Sequence, residues 1–221
     1  MELLLFGHSG APVIIFPTSM GRFYQNEDMG LIGALRDKIE GGFIQVYCVD
    51  SVDSESWYNR GAPPEWRVRR HLDYDNYLCN EVLPLIRQRN SNGYLIATGC
   101  SFGATQAVNF AFRHPLTVHK VVALSGRYNM QAYLDGYYDD NVYYNSPLDY
   151  IGGLQDGDYK HQLQLQEIYL ITGDWDLPVC LNETRQLHEK LNEKGIGNTL
   201  AVWREFGHDW PYWNRQIRDY I

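Results

Sequence analysis

Short apolar runs punctuate the chain, separated by stretches whose apolar residues recur at helical spacing. The runs "ELLLF" (2–6) and "PVIIF" (12–16), with "GHSGA" between them, predict two strands of a hairpin or two neighbours at a sheet edge. A helix over about 27–39 is closed by Gly41 and Gly42, and "FIQVYCVD" (43–50), rich in β-branched and aromatic residues, predicts the next strand. A long helix follows over about 65–89 with a bend near Pro84. Further strands are predicted at "YLIATG" (94–99), "HKVVALSG" (119–126), "EIYLITG" (167–173) and "TLAVWREF" (199–206), most of them separated by helices. Beyond Phe43 each strand is a near-continuous apolar run, the pattern of a parallel sheet whose two faces are both covered by helices. The expected fold class is therefore α/β, with a mostly parallel, doubly wound central sheet. No repeat and no Pro/Gly/Ser linker divides the chain, so one domain over 1–221 is expected.

One segment breaks the alternation. From Gly126 to Gln166 about forty tyrosine-rich residues separate two strands, far more than a typical connection of such units. An insertion of this size is expected to serve function or to act as a lid.

Composition narrows the partners. A formal net charge of -8 repels phosphate backbones and anionic lipid, and "RVRR" (67–70) is the longest basic run, so no nucleic acid and no membrane surface is expected. The N-terminus lacks the basic start and apolar length of a signal peptide, and the chain reads as a cytoplasmic protein. Cys48, Cys79, Cys100 and Cys180 lack metal-site or disulfide-scaffold spacing, so free thiols and no metal are expected.

The candidate chemistry lies in "ATGCSFGAT" (97–105), where Ser101 stands between Gly99 and Gly103 at the junction of a strand and a helix. A nucleophile projecting from a sheet needs a tight strand-to-helix turn, and bulk two residues to either side would prevent it. A serine hydroxyl also needs a base, itself oriented by an acid, on loops after later strands. The strand 199–206 runs into "GHDW", which makes His208 the candidate base. The strand 167–173 runs into "DWD", which leaves Asp174 and Asp176 both open as the acid. Asp209 is better suited to cap the terminal helix "WPYWNRQIRDYI". For a developing oxyanion, the amide of Phe102 is one candidate donor, and Ser19 or Met20 in "FPTSMGR" (16–22) would present the second.

Together the segments "FPTSMGRFYQNEDMG", "SWYNR", "GCSFGA", "YYNSPLDYI", "GDWD" and "HDWPYW" resemble the compact putative-esterase branch of the α/β-hydrolase superfamily, related to esterase D-type S-formylglutathione hydrolases, feruloyl esterases and mycolyltransferases. The resemblance runs from about Leu3 to Ile221. It implies an α/β-hydrolase fold, a serine hydrolase without cofactor, Ser101 as nucleophile and His208 as base. The family's acid follows a glycine as G-x-x-D, which favours Asp176 after Gly173 over Asp174. The His-Gly of many lipase oxyanion loops is replaced here by Phe16-Pro17-Thr18.

The expected activity is hydrolysis of a small-molecule carboxylic ester through an acyl-enzyme. The alternatives are acyl transfer to an alcohol or thiol, or a catalytically silent binding module with an aromatic cleft. Tyrosine joins a flat apolar face to a polar tip, so Trp57, Tyr58, Tyr137, Tyr138, Tyr143, Tyr144 and Trp175 are expected to contribute to a substrate-binding rim.

Overall fold

The computed structural model describes residues Met1–Ile221. Strands β1 (Leu3–Phe6), β2 (Ala11–Phe16), β3 (Ile44–Val49), β4 (Leu95–Cys100), β5 (Val118–Leu124), β6 (Glu167–Trp175) and β7 (Thr199–Gly207) form one sheet in the order β1-β3-β2-β4-β5-β6-β7. β1 runs antiparallel to β3, and every other neighbouring pair is parallel. The helices are α1 (Gln25–Asp28), α2 (Leu31–Ala34), α3 (Arg36–Glu40), α4 (Pro64–Tyr77), α5 (Leu83–Arg89), α6 (Phe102–Arg113), α7 (Asp140–Tyr143), α8 (Pro147–Gly152), α9 (Asp158–Leu163), α10 (Pro178–Glu193) and α11 (Trp210–Tyr220).

Successive residues of each central strand enter opposite cores, because side chains alternate across a sheet. Ile14 and Phe16 join a larger cluster with α4, α5, α6, α8 and α10; Val13 and Ile15 join a smaller one with α2, α3 and α11. Helix α6 is buried from Phe102 to Phe112, as its nearly all-apolar circumference requires. Truncating Phe112 to alanine inside it would cost roughly 3–5 kcal/mol.

Three expectations need correction. β1 and β2 are neither a hairpin nor neighbours, since β3 lies between them. Residues 13–16 of β2 are wholly buried, so that strand needs a partner at each edge, and the equally buried β3 fills the place. Four residues, Gly7–Gly10, reach at most ~13 Å, enough for the ~9.6 Å of two strand spacings. The crossing passes so closely over the start of β3 that a β-carbon on Gly10 (φ +94°) would lie 2.1 Å from the Phe43 carbonyl carbon.

The helix expected over 27–39 is three short pieces, because Gly30 adopts a left-handed conformation (φ +84°) between α1 and α2. The long helix over 65–89 holds a π-helical turn, Leu78–Val82, immediately before Pro84, whose missing N–H cannot continue the regular ladder. β7 is not a buried run: at the sheet edge it exposes Arg204 and Glu205, charges that discourage pairing with another chain. The 126–166 segment folds into a 3-10 turn, Met130–Tyr133, followed by α7, α8 and α9. No helix is long and apolar enough to cross a membrane.

Candidate active site

The buried strand β4 ends at Cys100, and the chain turns through Ser101 at φ 55°, ψ -124° before entering α6. A non-glycine residue held there costs on the order of 1–3 kcal/mol, and the surroundings enforce it. The Ser101 amide donates to the Leu124 carbonyl at 2.8 Å, extending the β4–β5 ladder one residue past the strand. Gly103 lies under the chain leaving β2: a β-carbon there would sit 2.6 Å from the carbonyl oxygens of both Phe16 and Pro17. A β-carbon on Gly99 would in turn lie 2.5 Å from the Gly103 carbonyl. The two glycines thus let strand, helix and the loop after β2 converge on one turn.

Beyond β6 and β7 the chain brings an acid and an imidazole to the same point. His208 Nε2 lies 2.9 Å from Ser101 Oγ, and His208 Nδ1 lies 2.7 Å from Asp176 Oδ1. Trp213 packs edge-on against the His208 ring, with centroids 4.9 Å apart, which fixes its tilt. Burial would raise the Asp176 carboxyl, but hydrogen bonding from His208, Ser125 and Thr172 outweighs it and holds the group below the usual carboxylate range. Thr172 Oγ1 donates to Asp176 Oδ2 at 2.8 Å and the Leu177 amide to Oδ1 at 2.7 Å. Asp174 is turned away: its Oδ1 accepts the Glu205 amide at 2.6 Å. Asp209 accepts the Trp210 amide at the start of α11.

The loop after β2 stands opposite. The Phe102 amide, first in α6, and the Ser19 amide donate to no group of the chain, whereas the Met20 amide donates to Asp53 Oδ2 at 3.3 Å. Met20 is therefore withdrawn as an oxyanion donor, and Ser19 and Phe102 are left with free N–H groups. Asp53, fully buried, also accepts from Gln106 Nε2 of α6 at 3.0 Å. Burial pushes its carboxyl up to about 7 against the lowering effect of these hydrogen bonds. Nothing in the sequence marked Asp53 beyond its place after the end of β3.

Ser101 and His208 open into a cavity of about 180 Å³, walled by Tyr58, Phe102, Tyr133, Leu177, Val179 and Cys180, with Ser19, Ser125 and Arg127 also on its surface. Ser19 Oγ, Tyr58 Oη and Tyr133 Oη form a chain, 2.7 Å and 3.4 Å apart. Of the seven aromatic residues expected at the rim, Tyr58 alone lines this cavity. Trp57 is buried, packed on His71 with centroids 5.0 Å apart. Tyr137 bonds Asp139 and packs on the small core behind Phe102; Tyr138 points outward and bonds Asp149. Trp175 is 63% exposed at the end of β6. Tyr143 and Tyr144 line a different, larger cavity of about 580 Å³ beside Arg113. Arg113 lies eleven residues along α6 from Phe102, about 16 Å at 1.5 Å per residue, so the larger cavity is remote from Ser101. Of the insertion's tyrosines, Tyr128, Tyr133 and Tyr150 are buried, whereas Tyr138 and Tyr144 are exposed.

Two clusters combine metal-ligating side chains. Asp176, Cys180 and His208 converge, but the acid and imidazole already bond each other and burial pushes the Cys180 thiol up to about 12, which keeps it protonated. Asp75, Cys79 and His114 form the second, where Arg113 Nη2, 3.4 Å from Asp75 Oδ2, already supplies positive charge.

Residues 49–220 match the family described as "Putative esterase". The chain belongs to the esterase family of serine hydrolases. No curated protein matches the sequence. Among solved structures, a ferulic acid esterase superposes with a TM-score of 0.73 at 19% identity, over 96% of this chain and 83% of that one. An S-formylglutathione hydrolase from Agrobacterium tumefaciens gives 0.70 at 17% identity, over 98% and 86%. Mycobacterium tuberculosis MPT51 gives 0.68 at 14%, over 98% and 89%. At these identities the likeness is one of fold, and the fold of this esterase is that of the α/β-hydrolases.

Proposed function

We propose that this esterase cleaves small carboxylic esters through an acyl-enzyme on Ser101, with His208 as general base and Asp176 as the acid that orients it. The observation that carries the reading is the pair of contacts on one imidazole, Ser101 Oγ at 2.9 Å from Nε2 and Asp176 Oδ1 at 2.7 Å from Nδ1. With Nδ1–H donated to Asp176, Nε2 keeps its lone pair for the serine proton.

Ser101 Oγ attacks the ester carbonyl carbon as its proton passes to His208 Nε2. The carbonyl oxygen becomes an oxyanion, held by the N–H groups of Phe102 and Ser19, each such donor being worth roughly 2.7–4 kcal/mol of barrier. Collapse breaks the bond to the alcohol, which leaves with the proton from Nε2. Water then adds to the acyl-enzyme by the same route, releasing the acid and restoring Ser101. Strain at Ser101 supports a chemical role over a silent binding module, because holding φ at 55° lowers stability and adds nothing to binding.

The test is steady-state hydrolysis by Ser101→Ala, expected to lower kcat by about 10⁴–10⁶ with the circular dichroism spectrum unchanged. A folded variant retaining wild-type kcat would end the assignment.

A further inference from the structure

The 180 Å³ cavity contains one full positive charge whose hydrogen-bonding capacity is unspent. Arg127 follows the end of β5 by three residues and lines the same cavity as Ser101 and His208. Its Nε is shut from solvent and has no hydrogen-bond partner. The carboxylate beside it, Glu183 Oε1, stands 3.5 Å from Nε, and the other oxygen of Glu183 accepts the amides of Tyr128 at 2.6 Å and Asn129 at 2.9 Å. Part of the Glu183 charge is thereby taken up by the backbone.

The contrast with Arg67 is informative. Arg67, which reaches the insertion from α4, is consumed by structure: it donates to the carbonyls of Ala62, Tyr133 and Arg60 and to Asp135. Arg127 makes no such bond, yet it is fixed in place. Its guanidinium carbon lies 5.4 Å from the centroid of the Tyr133 ring, and its backbone N–H donates to Thr105 Oγ1 of α6 at 3.1 Å. A planar fork of donors, held over an aromatic face in a confined pocket, is built to meet a carboxylate.

We infer that Arg127 selects for substrates carrying a carboxylate a few bonds from the scissile carbonyl, received by its guanidinium inside the Ser101 pocket. The inference rests on the serine-esterase reading above and adds its substrate class. The volume agrees: a 150 Å³ cavity holds a benzene, so about 180 Å³ accepts a short acyl or alcohol fragment ending in an anionic group and leaves the remainder outside. Exposed Leu177, at the pocket wall, with exposed Trp175 at the end of β6 and Met20 on the loop after β2, offers apolar surface for that remainder.

The experiment compares kcat/KM for matched anionic and neutral esters with wild type, Arg127→Met and Arg127→Lys. Monoethyl glutarate against ethyl glutaramate carries the charge on the acyl side; 4-carboxyphenyl acetate against 4-carbamoylphenyl acetate carries it on the alcohol side. Wild type is expected to favour the anionic member of one pair by at least about tenfold. Arg127→Met is expected to bring that ratio near one, with Arg127→Lys between the two, because an ammonium keeps the charge without the fork. Anionic-to-neutral ratios within twofold of one in both pairs, or a preference that survives Arg127→Met, would overturn the inference. So would failure to turn over either anionic ester by an enzyme that still reacts with a fluorophosphonate at Ser101. A wild type that takes no fluorophosphonate would instead overturn the hydrolase reading beneath it.

Discussion

Asp53 Oδ2 accepts the amide hydrogen of Met20 across 3.3 Å from a fully buried position. Its other oxygen accepts from Gln106, so one carboxyl group ties the loop after β2 to the helix that follows Ser101. Ser19, next to Met20 in that loop, lines the same cavity as Ser101. Asp53→Ala leaves both donors without an acceptor and is expected to lower kcat roughly 10- to 100-fold with KM changed less than about threefold, whereas Asp53→Asn, still able to accept from Met20, should lose less. A KM effect larger than the kcat effect would contradict the positioning role.

The same residue makes a prediction about pH. Burial raises the folded Asp53 carboxyl to about 7, so the folded chain keeps a proton that the unfolded chain has released. Its ionisation therefore lowers stability progressively from about pH 4 to about pH 7, the sign opposite to that of a salt-bridged carboxylate. Urea unfolding at pH 5 and pH 7.5 should show a smaller difference in Asp53→Asn than in wild type. Equal differences would exclude it.

The two acids of "DWD" separate cleanly by what they touch. Asp176 meets His208, while Asp174 meets only the amide of Glu205 in the neighbouring strand. Asp176→Asn is expected to lower kcat by about 10³–10⁴, through loss of the imidazole's orientation and charge partner, and Asp174→Asn by less than tenfold. Comparable losses in the two variants would refute the choice.

Away from the site, His114 Nε2 lies 3.0 Å from Asp75 Oδ1. Burial pulls the imidazole down, but hydrogen bonds and charge from Asp75 and Cys79 prevail and raise it to about 9. A raised histidine stabilises fully below its unfolded value of about 6.5, and the contribution is lost as pH rises through about 9. For this partly screened pair the loss is on the order of 2 kcal/mol. Thermal unfolding between pH 6.5 and 10 should fall more steeply in wild type than in His114→Gln; parallel curves would contradict it.

The separation between what was legible and what was not follows physical range. The turn at Ser101 was legible because such a turn needs glycine on both sides, and the approach of Asp176 and His208 to it because strand ends project their next residues over the sheet. The parallel core was legible in the continuous apolar runs of β3 to β6. Strand order at the edge was not: the Gly7–Gly10 connection reads as a hairpin, and only the burial of both β2 and β3 decides otherwise. Tyr143 and Tyr144 have the chemistry of a binding rim, but the insertion's path puts them beside Arg113. Arg127 and Asp53 carry no local signature. Their surroundings come from segments tens of residues away, such as Glu183 and Gln106.

The most direct test of the central claim is intact mass after brief exposure to a fluorophosphonate, for wild type and Ser101→Ala side by side. A nucleophile activated by His208 predicts one adduct on wild type and none on the variant. An adduct that persists on Ser101→Ala, or a wild type that takes none, would contradict the account.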